Sequence, residues 1–377
     1  MDFNFSDEQL AIRESVRDLV RDRVAPRAAE IDRSGEYPHD IERLFAENGI
    51  LGIPFPEEYG GLSGSSVTIC MVTEEIARAC ATSALILGVH ALGAYSVLLG
   101  GSEEQKRRIL PELARGRLTC YALTEPDAGS DAGALRLSAR RLGDEYVLNG
   151  IKTFITHASV AETMIVFART GGLGPGGVSA FFLERERSPW RVLKVETKMG
   201  IRGSPTAQIA FDDVIVPAAN RLGLEGQGFK IALGVLDRSR PGVAAQAVGI
   251  AQGALDFALE YAKQRHQFGH PIASFQGLQW MLADMATQIE AARQLLYFSA
   301  WKVDRGDPDM TRAAAMSKMF CSDMAMKVTT DAVQILGGYG YISDYPVERM
   351  MRDAKITQIY EGTNQVQRLV IARALIG

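Results

Sequence analysis

At 377 residues the chain is longer than one ordinary core accommodates, and the usual size of roughly 150 residues per domain predicts two or three domains. Hydrophobic residues at 47% and charged residues at 23% have the balance of a soluble globular protein. A net charge of -4 gives no general attraction to phosphate backbones or anionic membranes, which sets nucleic acid aside as a partner.

The start, Met1-Asp2-Phe3-Asn4-Phe5-Ser6-Asp7-Glu8, is acidic and runs directly into a helical pattern, without the basic and apolar regions of a signal peptide. No apolar run free of charged and turn residues reaches about 18 residues, the length of a spanning helix. No membrane insertion and a cytoplasmic location are therefore expected. From Ser6 to about Arg117 apolar residues recur at helical spacing, as in Leu10, Val16, Leu19, Val20 and Val24, with Pro26 soon after. A loop rich in breakers, Pro54-Phe55-Pro56-Glu57-Glu58-Tyr59-Gly60-Gly61, precedes helices predicted over Val67–Arg78 and Ser83–Leu99.

Between about Leu118 and Leu222 the texture changes to short runs, Glu145–Gly150, Met164–Ala168 and Ala180–Leu183, with Asn149-Gly150 a strong turn signal. These predict a small β-sandwich or barrel. Gly172-Leu173-Gly174-Pro175-Gly176-Gly177 satisfies the letter of a dinucleotide-binding glycine pattern, but a strand rather than a helix follows it. It reads as a hairpin loop. After Pro217 the helical period returns through Phe229–Arg238, Val243–Arg265, Phe275–Asp304, Met310–Leu336 and Gln365–Ile376, enough for a four-helix bundle. The expected fold is α+β and mostly α: an N-terminal helical domain over residues 1–117, a middle β domain over 118–222 and a C-terminal helical bundle over 223–377.

Cys70, Cys80, Cys120 and Cys321 form no C-x-x-C pair and read as buried small apolar residues. The five histidines show no metal-binding spacing; His266 and His270 are four apart, but Gly269 and Pro271 break the helix that would align them. No metal is expected.

Two segments carry candidate chemistry. In Tyr360-Glu361-Gly362-Thr363-Asn364-Gln365 one carboxylate sits in an otherwise uncharged turn. Held away from water, it becomes a stronger base, as removal of a weakly acidic C–H proton requires; the other reading is a glutamate favoured by the positive end of the last helix. Tyr121-Ala122-Leu123-Thr124-Glu125-Pro126-Asp127-Ala128-Gly129-Ser130-Asp131 supplies hydroxyls and small residues whose backbone N–H groups can approach a phosphate closely. It reads equally as a polar turn between domains. The tip Lys263-Gln264-Arg265-His266-Gln267-Phe268-Gly269 suits an anionic cofactor or is an ordinary helix end with a glycine cap. Asp237 and Arg240 are an ion pair of the surface kind unless something binds there.

The Tyr121–Asp131 run, Phe154-Ile155-Thr156 and the Tyr360–Gln365 turn, in this order and separation, resemble the acyl-CoA dehydrogenase family of flavoproteins. The likeness extends from Phe5-Ser6-Asp7-Glu8-Gln9 to Gln367-Arg368-Leu369. It implies the same three-part arrangement, FAD as cofactor, a homotetramer and a place in fatty acid and lipid metabolism. By this resemblance Tyr121, Leu123 and Thr124 lie against the flavin, Gly129 and Ser130 reach its pyrophosphate, and Thr156 bonds the reactive nitrogen edge. Thr363 and Gln365 join the cofactor site. Arg265, Gln267 and Phe268 reach the FAD of a neighbouring subunit, with Gln334, Gly337 and Gly338 near the adenine half. Where the family commonly has tryptophan followed by Ile-Thr-Asn-Gly, this chain has Phe154-Ile155-Thr156-His157-Ala158, which keeps an apolar wall with less area and no N–H donor.

The resemblance also implies the reaction. An acyl thioester, carried by CoA or a carrier protein, lies between Glu361 and the flavin, and its carbonyl accepts hydrogen bonds from the Glu361 backbone N–H and a ribityl hydroxyl. Glu361 takes the α-proton as a hydride leaves the β-carbon, giving a 2,3-enoyl thioester; an electron-transfer flavoprotein is the acceptor. Substrate contacts fall to Ser130, Asp237 (pantetheine), Arg240, Tyr360 and Gly362, with the Lys198–Pro205 loop lining the thioester tunnel. The helix around Gly88 and His90 corresponds to the end wall of the acyl pocket: Gly88 and Gly93 leave space, Tyr95 takes it away, and His90 meets a polar tail or is a satisfied structural residue. Two other functions compete: a flavin oxidase or monooxygenase on the same scaffold, to which Phe154 points, and a flavin-free scaffold that binds acyl carriers without turnover.

Overall fold

The computed structural model describes residues 5–377, so Met1 to Asn4 of the acidic start lie outside the described residues. Six helices come first: α1 Asp7–Leu19, α2 Ala28–Ser34, α3 His39–Glu47, α4 Ser66–Ala79, α5 Ala81–Gly100 and α6 Glu103–Ala114. α1 starts where Ser6 and Gln9 satisfy each other's backbone N–H groups, and Ser102 with Gln105 does the same for α6. α5 is apolar on every side and accordingly buried on nearly every side. It has 20 residues without a single Asp, Glu, Lys or Arg, so the expectation of no run of spanning length holds only if Gly88 and Gly93 count as turn residues. Both sit inside the helix. α5 and one later helix have the length and hydropathy of a membrane span, and both are mostly buried inside the protein.

Eight strands follow: β1 Thr119–Ala122, β2 Ser138–Leu142, β3 Glu145–Thr156, β4 Thr163–Arg169, β5 Val178–Glu184, β6 Arg191–Val195, β7 Thr206–Pro217 and β8 Arg221–Leu222. They form one mixed sheet in the order β6-β7-β3-β2-β4-β5-β8, with β1 parallel to β4. Only the pair Ser138–Arg169 joins β2 to β4, so the sheet has two halves on either side of a weak seam. The glycine-rich segment 170–177 is the loop between antiparallel β4 and β5, tied down by the Arg169 guanidinium bonding the carbonyls of Gly172 and Gly174.

The C-terminal part holds α7 Gly228–Gln264, the hairpin β9 His266–Gln267 and β10 His270–Pro271, α8 Gln276–Arg305, α9 Met310–Leu336, α10 Pro346–Thr357 and α11 Asn364–Ile376. α7 corrects the expectation of two helices: its 37 residues run straight through Pro241. The proline leaves the Asp237 carbonyl without its donor, a cost of about 3 kcal/mol. Burial along α7 outweighs it. The helix packs so closely on α4 that a Cβ on Gly253 would lie 2.1 Å from the Arg78 carbonyl oxygen. One apolar core runs from the first helices through the sheet into the bundle; a second joins α5, α6, β4 and β5 to Ile231, Ala232 and Val235 of α7. α7 thus spans from sheet to bundle, and the catalytic candidates sit where it passes between them. All four cysteines are buried.

Candidate active site

The turn between α10 and α11 is built from two consecutive left-handed residues, Glu361 (φ 53°) and Gly362 (φ 91°). For a glutamate that conformation costs on the order of 1–3 kcal/mol and persists only when its surroundings hold it. They do. Gln367 Nε2 donates to the carbonyls of Glu361 (3.2 Å) and Gly362 (2.9 Å), and Lys318 Nζ reaches in from α9 to the Gly362 carbonyl at 2.9 Å. Thr363 caps α11, its hydroxyl accepting from the Val366 N–H, while Gln365 is exposed. The Tyr360 hydroxyl bonds Gln246 Oε1, and the Gln246 amide donates to the Ala81 carbonyl at 3.1 Å, which anchors the turn to α7 and α5.

The Glu361 carboxylate accepts a 2.5 Å hydrogen bond from Ser239 Oγ of α7. Burial pushes its pKa up, opposed by that hydrogen bond and by the positive charges of Arg240 and Lys318. The result is a partly desolvated carboxylate with a single hydroxyl donor among the described residues, a state that suits a base. Arg240 is almost fully buried and pairs with Asp237 at 2.7 Å; the second Asp237 oxygen accepts from Thr311 Oγ1 at 2.7 Å. The surface reading of this pair is excluded. Tyr121 packs on Phe167, donates to the Ala232 carbonyl at 3.3 Å and feels both the Glu361 and Arg240 charges.

The Thr124–Gly133 loop is fastened from beneath. Buried Glu125 accepts from the backbone N–H groups of Arg136 (2.6 Å) and Leu137 (2.9 Å) and from Lys152 Nζ of β3 (2.8 Å). Lys152 is completely buried and also donates to the Leu123 carbonyl; burial lowers its pKa to about 8 despite the carboxylate. The Thr153 N–H donates to the Thr124 carbonyl, so β3 delivers Phe154 and Thr156 beside the loop. Gly129 and Ser130 are exposed, with no atom within 4 Å of where a Gly129 Cβ would stand. At a bulge against β7, Phe154 takes φ 56° and is 64% exposed, while Thr156 at the strand end is half-buried. His157, where the family commonly has asparagine, is also left-handed and bonds Ser204 Oγ at 3.0 Å.

These features fit a flavin dinucleotide: an outward aromatic wall, a threonine at the strand end and open backbone at Gly129. Two further polar atoms at the turn, Arg240 Nε and Gln367 Oε1, are buried without a partner among the described residues, as expected where a polar ligand completes the site.

Other candidates lie elsewhere. Arg265 follows α7, and from Ser239 to Gln264 that helix covers about 38 Å at 1.5 Å per residue. Gln267 and Phe268 are exposed in the hairpin beyond it. The Arg265 guanidinium stacks 5.3 Å over Tyr339, which brings this tip beside exposed Gln334, Gly337 and Gly338 and far from Glu361. The 198–205 loop packs on α10 through the Ile201 N–H, which donates to buried Asp353 at 2.5 Å.

At the acyl pocket one expectation is corrected, and the structure favours one of the two readings of His90. His90 is fully buried and its Nε2 bonds the Leu113 carbonyl at 2.9 Å, with burial lowering its pKa to about 4. It is neutral and held through Nε2, which favours the structural reading, while its Nδ1 is buried without a partner among the described residues. Gly93 leaves no free space, because a Cβ there would meet Thr119 Cγ2 at 2.0 Å; at Gly88 nothing lies within 4 Å. Sequence reasoning missed Ser239, Gln246, Lys318, Gln367 and the Glu125–Lys152 pair. For Lys318 a signal existed: a lone lysine among Ala313, Ala314, Ala315, Met319 and Cys321.

Three family models match the chain: "Acyl-CoA dehydrogenase, N-terminal domain" over residues 6–117, "Acyl-CoA dehydrogenase, middle domain" over 120–214 and "Acyl-CoA dehydrogenase, C-terminal domain" over 226–376. The short-chain specific acyl-CoA dehydrogenase of Clostridium acetobutylicum is 48% identical, over 99% of each chain. Butyryl-CoA dehydrogenase from Megasphaera elsdenii superposes with a TM-score of 0.97 at 46% identity, covering 100% of both chains. A chain of the solved structure of the electron transferring flavoprotein of Acidaminococcus fermentans gives a TM-score of 0.97 at 47% identity, again over 100% of both.

Proposed function

Because the chain belongs to the acyl-CoA dehydrogenase family, we propose that it catalyses FAD-dependent α,β-dehydrogenation of an acyl-CoA thioester with Glu361 as the base. The observation that carries this reading is the half-buried Glu361 carboxylate, held in a left-handed turn with, among the described residues, only the Ser239 hydroxyl as donor. Desolvation makes it basic enough to take an α-proton, and the Ser239 hydrogen bond aims it and keeps it ionised until substrate arrives. The left-handed turn leaves the Glu361 N–H free to face a thioester carbonyl, where it stabilises negative charge as the α-proton departs. Asp237 and Arg240 hold the thioester arm. FAD, when bound, supplies the acceptor for the β-hydride, and the product is a 2,3-enoyl thioester.

Tyr121, Leu123, Thr124, Gly129, Ser130, Phe154 and Thr156 would hold the cofactor. Support comes from the way the Glu125–Lys152 pair and the Thr153–Thr124 hydrogen bond gather them on one side of the turn. The Arg265 tip, with Gln267, Phe268, Gln334, Gly337 and Gly338, serves the FAD of a second copy in a homotetramer, since α7 carries it about 38 Å from Ser239. An electron-transfer flavoprotein is the proposed acceptor, supported by the likeness to a chain solved under that name. A cytoplasmic location is part of the same proposal. The deciding experiment is anaerobic bleaching of the bound flavin by a panel of saturated acyl-CoA thioesters of increasing length. Rapid bleaching by at least one supports the reading, and a flavin left oxidised by all of them rejects it.

A further inference from the structure

Lys318 lies in the middle of α9, completely buried among alanine, methionine and cysteine. A lysine in such surroundings needs partners. Its ammonium has two hydrogen-bond acceptors, the Gly362 carbonyl and Asn364 Oδ1, each at 2.9 Å. Both are neutral oxygens. The nearby Asp323 carboxylate is engaged by Gln358, Asn364 and Arg368. The charge on Lys318 is therefore balanced across space, first by Glu361 and then by Asp323, against the like charge of Arg240.

We propose that Lys318 is a positioning residue for the base: its ammonium clamps the Gly362 carbonyl, so holding the left-handed turn, and supplies the buried positive charge that faces the Glu361 carboxylate. The inference rests on the reading of Glu361 as base. Two observations converge on it. The contact falls on the carbonyl directly after Glu361, within two successive residues at positive φ, where any slack would swing the carboxylate. The influence is also reciprocal: Lys318 favours the ionised form of Glu361, and Glu361 favours the charged form of Lys318, whose pKa burial nonetheless brings down to about 7. The other titratable groups facing the pair are Arg240 and Asp237 from α7, Tyr121 from β1, Tyr95 from α5, Tyr360 from the turn and Asp323 on α9 itself. Of these only Arg240 is a second cation. It is already neutralised by Asp237 at 2.7 Å, which leaves Lys318 as the cation without a contacting counter-ion.

The test is the pH dependence of anaerobic flavin reduction in the FAD-loaded enzyme. Loss of a facing cation raises the pKa of a carboxylate, so Lys318→Met is expected to move the acid limb up by about 1 pH unit or more. The loss falls on kcat with KM little changed. Lys318→Gln restores a donor to the Gly362 carbonyl but no charge; it is expected to recover part of the plateau rate and keep the displaced limb. A second measurement needs no change at Lys318. In protein labelled with 15N-lysine, the Nζ titration midpoint of Lys318 is expected to fall when Glu361→Gln removes its counter-charge. A wild-type acid limb in Lys318→Met overturns the proposal, and so does an unmoved Nζ midpoint if the Lys318 variants do not fold. Near-normal bleaching by Glu361→Gln is a different result, which rejects Glu361 as base.

Discussion

Ser239 and Glu361, 122 residues apart in the chain, meet through a 2.5 Å hydrogen bond that joins α7 to the turn before α11. The donor favours the ionised carboxylate, while burial favours the neutral acid. Ser239→Ala removes the first influence and leaves the second. The Glu361 pKa then rises, and activity that depends on the carboxylate is lost at a higher pH as the solution is acidified. Since a hydrogen bond to a charged group is worth about 1.5–3 kcal/mol, the acid limb of kcat is expected to move up by about one to two pH units. An identical limb in Ser239→Ala would mean that the hydroxyl serves only to pack α7.

Beneath the proposed flavin loop, Lys152→Met leaves the buried Glu125 carboxylate with its two backbone donors and no cation. Breaking a buried ion pair by removing one partner costs about 3–5 kcal/mol. The variant is expected to melt several degrees lower and to retain less FAD, as followed by thermal unfolding and by flavin absorbance after gel filtration. Unchanged flavin content in a destabilised variant would confine the pair to folding.

Local pattern reveals what neighbouring residues decide and hides what distant ones decide. The run Met310–Leu336 reads as a helix and is one, with those bounds, because an apolar period and the Gly337-Gly338 stop are written side by side. Pro241 reads as a break, yet tertiary packing on α4 and α9 carries α7 through it. Glu361 stands out because its neighbours are uncharged. Its donor Ser239 does not, and neither does the Glu125–Lys152 pair, whose members are 27 residues apart. His90 was open to a functional reading because its partner, the Leu113 carbonyl, lies on another helix. The family resemblance singled out the segments, and the structure supplied the contacts inside them.

At the far end of α7, Arg265→Ala is expected to lower FAD occupancy and weaken the oligomer together. The guanidinium packs on Tyr339 at an exposed tip too far from Ser239 to share one flavin ring with it. A planar, permanently charged fork suits the phosphate of a cofactor held by another copy. Sedimentation at several protein concentrations, with flavin content measured in each species, checks both effects. Full flavin retention in an unchanged tetramer removes the assignment between subunits.

Phe154 leaves 64% of its surface exposed at a bulge, beside the strand end that carries Thr156. A larger ring at the same position covers more of the flavin edge. Phe154→Trp is therefore expected to slow the reaction of the reduced enzyme with oxygen more than it slows dehydrogenation, a comparison made by stopped-flow reoxidation and anaerobic reduction. Equal oxygen reactivity in the two proteins would show that the phenylalanine is tolerated packing and would remove the main reason to consider an oxidase.

The strongest test is of the base. Glu361→Gln keeps the side-chain shape, the left-handed turn with its Gln367 and Lys318 contacts, and the backbone N–H proposed to meet the thioester carbonyl. It removes only the ability to accept a proton. Thioester and FAD should still bind, seen as a perturbation of the flavin spectrum on adding substrate, while anaerobic bleaching slows by a factor on the order of 10²–10⁴. Because no carboxylate remains to titrate, the residual rate should also lose the acid limb of the wild type. Bleaching at a near-normal rate, with the limb intact, would assign proton removal to another group and end the mechanism proposed here, whatever the fold.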